Sequence, residues 1–131
     1  MTYLIDSNIF IYATNKKDKQ AYQFLSELQT FAYAAITKIE VLGYHDLKEG
    51  DQHLLQTLFL MGRKILLTDA IEEQAIQLRQ QHRIKLGDAI IAATALVENL
   101  TLVSRNVEDF KTVVGLFLLN PYDLPTSNSY S

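Results

Sequence analysis

Cysteine is absent from the chain, which excludes disulfide staples, thiolate metal sites and a cysteine nucleophile, and fits a reducing compartment. An excess of positive charge is absent too. Fifteen acidic residues against 12 basic ones leave a net charge of −3, so any contact with nucleic acid must come from a local basic patch rather than a general positive field. No apolar run reaches the length of a membrane span, and the opening MTYLIDSN has no basic region ahead of a hydrophobic one. The expectation is a soluble, uncleaved, cytoplasmic protein. Internal repeats, low-complexity tracts and linker-like shifts in composition are also missing. What is present is an ordinary globular composition, 48% hydrophobic and 21% charged over 131 residues, enough for one self-folding domain.

Short apolar runs alternate with helical periodicities. Tyr3 to Ile5 reads as a strand, and NIFIYAT as a helix capped by Ser7 or Asn8. AYQFLSELQ follows as a helix, FAYAAI as a strand, and TKIEVLGYHDL as a helix with Ile39, Leu42 and Leu47 on one face. QHLLQTLFLMG reads as a helix capped by Asp51, KILL as a strand, and TDAIEEQAIQLRQQH as a helix with acids first and basic groups last. Leu86 to Glu98 is helical by the spacing of Ala89, Ile90, Ala93, Leu96 and Val97. TLVS is a strand, RNVEDF a polar connection with room for a helical turn, and VVGLFLLN a last apolar run stopped by Pro121. The alternation predicts an α/β domain with a mostly parallel sheet and right-handed crossovers.

In such a sheet ligands gather outside the carboxyl ends of the strands, which draws notice to four acids. Asp6 follows the first strand directly, as a cap or turn former or as a ligand. Glu40 stands three residues after Thr37 in a capping-box pattern. Asp88 falls in the first turn of a helix, where the macrodipole favours an acid. Asp109 lies in the polar connection after TLVS. Each has a structural explanation alone, but the sheet would bring three of them together, and clustered carboxylates repel unless a proton or cation intervenes. Oxygen-only ligands suit magnesium or manganese, and such an ion serves phosphodiester hydrolysis.

In order and spacing, LIDSN, ITKIEVLGY, KLGDAIIAATAL and LVSRNVEDF make the chain resemble the PIN-domain ribonucleases over nearly its whole length, and it looks most like the VapC toxins of bacterial toxin–antitoxin pairs. The resemblance implies a PIN-like domain over residues 1–124, with a central sheet of four to five strands flanked by helices and a mobile tail over residues 125–131. It implies a metal-dependent endoribonuclease using magnesium or manganese. Asp6, Glu40 and Asp88 correspond to the principal metal-binding acids, and Asp109 or Asn106 to a less constant fourth position, with Asp109 counted among the catalytic acids. Asn8 and Thr37 match polar positions that help hold the acids or ligand waters, and Ser104 stands where threonine is more common. Asn106 in place of an acid restricts the expectation to one firmly held ion. The implied partners are an RNA substrate, a VapB-like antitoxin whose C-terminal segment blocks the site, and a second copy of the chain in a homodimer.

Arg83, Lys85 and Arg105 are near these segments in sequence and are the candidates for RNA contact. Lys16, Lys17 and Lys19 form a basic loop, either simply solvated or at the rim of the site. QHLLQTLFLMG is apolar around more than one face, so Leu54, Leu58 and Phe59, with Tyr22 and Leu25, are candidate partner contacts; ordinary burial is the alternative. His45, His53 and His82 lack metal-ligand spacing and read as surface or partly buried residues. Tyr12, Tyr22, Phe24 and Tyr44 read as core or interface residues, with base stacking as the alternative. Three competing functions are an RNA-processing nuclease without a toxin role, a receiver-like phosphoacceptor module, and a catalytically dead binding module.

Overall fold

The computed structural model describes residues 2–124; the tail expected over residues 125–131 lies outside them. Its strands are β1 (Tyr3–Ile5), β2 (Ala32–Ala34), β3 (Arg63–Ile65), β4 (Thr101–Val103) and β5 (Leu118–Leu119). The helices are α1 (Ser7–Tyr12), α2 (Gln20–Glu27), α3 (Ala35–Leu42), α4 (Glu49–Met61), α5 (Asp69–Gln81), α6 (Leu86–Glu98) and the single turn α7 (Val107–Phe110), followed by a 3-10 turn at Pro121–Asp123. The sheet is ordered β3-β2-β1-β4-β5, and every pairing is parallel. From β1 the chain builds outward to β2 and β3, then returns to place β4 on the other side. The topological switch point therefore lies between β1 and β4, where a ligand crevice opens in this class of sheet. A receiver-like sheet has the order 2-1-3-4-5, so the observed order sets that reading aside.

Strand residues alternate between the two faces, as a pleated strand requires. Leu4, Ala32, Ala34 and Leu102 point into one core layer, filled by Ile71, Ala75 and Leu78 of α5 and by Ala89, Ile91, Ala92, Ala93 and Ala95 of α6. Ile5, Phe31, Tyr33 and Val103 point into the other, with Ile9 and Phe10 of α1, Leu25 of α2, Val41 of α3 and Leu55, Leu58 and Phe59 of α4. Phe10 is fully buried against Phe59, Phe31 and Tyr33, at ring separations of 4.3, 6.1 and 6.2 Å. α3 spans both layers, since Ile36 packs on the first and Val41 belongs to the second.

Several local expectations change in three dimensions. Asp6, not Ser7 or Asn8, is the N-cap of α1. α3 starts at Ala35, directly after β2, so Thr37 sits inside the helix and the Thr37–Glu40 capping box does not form. It stops at Leu42 with Gly43 as its C-cap, which leaves Leu47 outside. α4 begins at Glu49 behind Lys48, which places Asp51 in the first turn rather than at the cap. Of the last apolar run only Leu118 and Leu119 pair as a strand. Leu25, Leu58 and Phe59 are buried core residues, because α2 and α4 turn these positions toward the aromatic layer. Of the five candidate partner contacts, Tyr22 is exposed and Leu54 partly so.

Candidate active site

Asp6 leaves the carboxyl end of β1 at the switch point, and nearly all of its surface is buried. Its Oδ1 accepts from the Ser7 backbone N–H at 2.8 Å. Its Oδ2 accepts from Ser104 Oγ at 2.7 Å and from Asn8 Nδ2 at 3.1 Å. Ser104 directly follows β4, so this bond ties the ends of the two strands that flank the crevice. Asn8 Nδ2 also reaches Ser104 Oγ at 3.2 Å, and Asn8 Oδ1 accepts the Arg105 backbone N–H at 3.2 Å. The Asn106 N–H donates to Ser104 Oγ at 3.0 Å. Asn8 and Ser104 thus both bond the Asp6 carboxylate, and Asn106 bonds Ser104 through its backbone.

Glu40 comes from α3 and stays exposed. Its Oε1 accepts from Ser7 Oγ at 2.7 Å, a contact for which the only sequence signal was the position of Ser7 between Asp6 and Asn8. On its other side lies Gly87: a Cβ built there would stand 2.9 Å from Glu40 Oε2. Absence of a side chain in the first turn of α6 therefore makes room for Glu40 beside Asp88. Thr37 is fully buried, with no hydrogen-bond partner for its Oγ1 among the described residues.

Electrostatics bind the acids into one field. Burial raises the Asp6 pKa from 3.8 to about 6, opposed by the Ser104 and Ser7 bonds and reinforced by the charges of Asp88 and Glu40. Asp88 is also raised, first by burial and then by Asp109 and Glu40, while Lys85 pulls it down. Among the described residues, however, no three His, Cys, Asp or Glu side chains close around one point as a metal cage would. Asp6 is held by Ser7, Asn8 and Ser104, Glu40 is held by Ser7, and the charges of Glu40 and Asp88 act on Asp6. The donor chemistry fits a hard divalent cation: carboxylate oxygens alone, in excess over base, with a buried Asp6 whose charged form has no cationic partner.

A groove of about 480 Å³ opens beside these acids, lined by His82, Arg83, Lys85, Asp88, Glu108, Asp109 and Thr112 among others. It joins the α5–α6 connection to α7, bringing Arg83 and Lys85 to the same cleft as Asp88 and Asp109. His82, Glu108 and Thr112 are lining residues that the sequence pattern did not single out. Arg105 lies elsewhere, with its guanidinium carbon 4.7 Å from the Tyr12 ring centroid and 4.0 Å from that of Tyr122.

The match to known proteins agrees with this layout. Residues 3–116 match the model of the PIN domain. Ribonuclease VapC2 of Rickettsia felis is 31% identical, in an alignment covering 92% of this chain and 98% of the relative. The chain belongs to the PIN-domain family. A toxin–antitoxin complex from Klebsiella pneumoniae contains a chain of 31% identity and TM-score 0.75, with coverage of 93% of this chain and 99% of that one. In VapBC2 from Rickettsia felis bound to a DNA fragment from its promoter, the corresponding values are 29%, 0.79, 92% and 98%.

Proposed function

We propose that this chain is a VapC-type toxin, an endoribonuclease that hydrolyses RNA phosphodiester bonds with a bound Mg2+ or Mn2+. The observation that carries the reading is the gathering of carboxylates at the carboxyl end of the sheet of a PIN fold, with Ser7 bonded to both Asp6 and Glu40 and Gly87 of α6 against Glu40. Asp6, Asp88 and Glu40 would hold the ion, which when bound supplies Lewis acidity to phosphodiester hydrolysis. Asn8 and Ser104 orient Asp6 through the bonds described, as partners behind a ligand do. Arg83 and Lys85 supply positive charge in the groove that Asp88 and Asp109 line, suited to the phosphates of the strand on either side of the bond. Asp109 adds a carboxylate across that groove from the α6 acid.

The ribonuclease name of the Rickettsia relative supports the substrate, and the toxin–antitoxin complexes among the structural relatives support a VapB-like antitoxin as partner. Among the described residues no helix is long and apolar enough to cross a membrane. The test is cleavage of tRNA, rRNA fragments and mRNA by purified protein with Mg2+ or Mn2+. Wild type cleaves, while Asp6→Ala and Asp88→Ala fall to background with the fold retained by circular dichroism; equal activity in the variants removes the site.

Homodimerisation belongs to the same proposal, and an apolar face supports it. Ile39, 70% exposed, lies with Leu67, Ile76 and Leu86 around two adjoining grooves of about 450 and 240 Å³ that share Leu67 and Ile90. Glu72 and Arg79 line the larger groove from α5, two turns apart on one helix face. An antiparallel pairing of α5 with its copy sets each Glu72 against the other Arg79, with Ile76 near the middle, which is the self-complementarity a twofold interface needs. Light scattering should give a dimer for wild type and a monomer for Ile76→Arg; a wild-type monomer at micromolar concentration removes the dimer.

A further inference from the structure

Arg105 has a role that the carboxylate chemistry does not require. Its backbone N–H donates to Asn8 Oδ1, so the residue starts level with the partners of Asp6. Its guanidinium then lies over Tyr12, four residues beyond Asn8 on α1 and on the same helix face, and over Tyr122 of the 3-10 turn. The two rings are 5.9 Å apart at 67°. Arg105 thus runs along α1 away from the acids by one helical turn, about 6 Å, which is of the order of one nucleotide step.

Stacking on aromatic rings limits the motion of a guanidinium but leaves its in-plane N–H groups open. Among the described residues those N–H groups make no hydrogen bond and no salt bridge, since the ion pairs present are His45–Asp46 and Lys111–Glu108 and the only hydrogen bond of Arg105 is through its backbone. The side chain is exposed. A planar, charged, immobilised fork with free donors suits a bidentate oxyanion. The surroundings are mixed in charge but net basic: Asp18 stands beside Tyr122, between Lys17 and Lys19 in a loop that also carries Lys16. The loop bearing Lys16, Lys17 and Lys19 adjoins the cage, because Gln20 at its end donates to the Pro121 carbonyl at 2.9 Å, one residue before Tyr122.

We propose that Arg105, held between Tyr12 and Tyr122, binds a backbone phosphate of the RNA about one nucleotide from the hydrolysed bond and so sets the register of the strand over the acids. The inference rests on the nuclease reading and is separable from it. A labelled single-stranded RNA, titrated by fluorescence anisotropy in chelator over a range of salt concentrations, reads the contact without turnover; steady-state cleavage with Mg2+ reads kcat and KM. Arg105→Gln should raise Kd and KM about tenfold with kcat within about twofold, and reduce the salt slope of binding by about one. Arg105→Lys should restore the slope but only part of the affinity, because charge returns without the fork. Tyr122→Ala removes one wall of the cage and should raise Kd several-fold, whereas an unchanged Kd would show that stacking does not hold the fork. Unchanged Kd and slope in Arg105→Gln, with cleavage by wild type intact, overturn the phosphate site alone. A fall in kcat and melting temperature at unchanged KM assigns Arg105 to loop support and overturns it too. Failure of wild type to cleave any RNA instead removes the nuclease reading.

Discussion

The two faces of the sheet support one site by opposite means. On the α1–α4 side the core is aromatic: Phe10, Phe31, Tyr33 and Phe59 interlock around the helix that begins at Asp6. On the α5–α6 side it is mostly aliphatic, and α6 contributes the small buried residues Ala89, Ala92, Ala93 and Ala95. Large rings fix α1 by shape, whereas alanines let α6 settle close to the strands. Asp6 therefore belongs to a layer held by interdigitation and Asp88 to one held by close approach, and α3, which touches both, carries Glu40. The lesson is that the acids meet only where two differently built layers join.

Substitutions that exchange these properties test the contrast. Phe10→Ala should cost about 3–5 kcal/mol in urea unfolding, the range for a buried ring replaced by a cavity. Ala92→Leu should cost less, about 1–3 kcal/mol, by overpacking; it should nevertheless impair cleavage, since moving α6 outward moves Asp88. If Phe10→Ala proves milder than Ala92→Leu, the assignment of the two packing modes is wrong.

The next effect concerns pH. Asp6 titrates higher in the folded protein, at about 6 against 3.8, so folding favours its protonated form. The stabilisation is present at low pH and is lost as pH rises through about 6. Relative to Asp6→Asn, which carries no titratable group there, metal-free wild type should lose up to about 3 kcal/mol between pH 4 and pH 7. A pH-independent difference between the two proteins in denaturant melts would show that burial does not raise Asp6. The smallest effect is expected at Gly87→Ala. Its Cβ meets the end of the flexible Glu40 side chain, so stability should change by less than about 1 kcal/mol while cleavage falls several-fold; unchanged cleavage would show that the placement of Glu40 there is immaterial.

Much of the architecture was legible in local pattern. Short apolar runs marked the strands and period-3.6 spacing the helices, and Asp6 and Asp88 fall as expected at a strand end and in a first helical turn. Capping was less legible. Thr37 and Glu40 fit a capping box in sequence, yet β2 ends at Ala34, where it pairs with β3 through Ile65, and α3 starts two residues ahead of Thr37. Leu25, Leu58 and Phe59 looked available to a partner because a helix with apolar residues on several faces does not declare which of them the sheet covers. The Arg105 cage was hidden for another reason, since Tyr12, Arg105 and Tyr122 are distant along the chain and meet only after β1, β4 and the final turn are in place.

By itself the sequence determined the kinds of element, their alternation and the chemical type of the site, because backbone preference, apolar periodicity and side-chain acidity are local properties. Only the tertiary structure decided that β4 returns beside β1, that Ser7 rather than Thr37 meets Glu40, and that Asp6, Glu40 and Asp88 act on one another electrostatically. Those outcomes depend on strand order, burial and the mutual repulsion of charges drawn from separate segments, none of which is defined until the chain has packed.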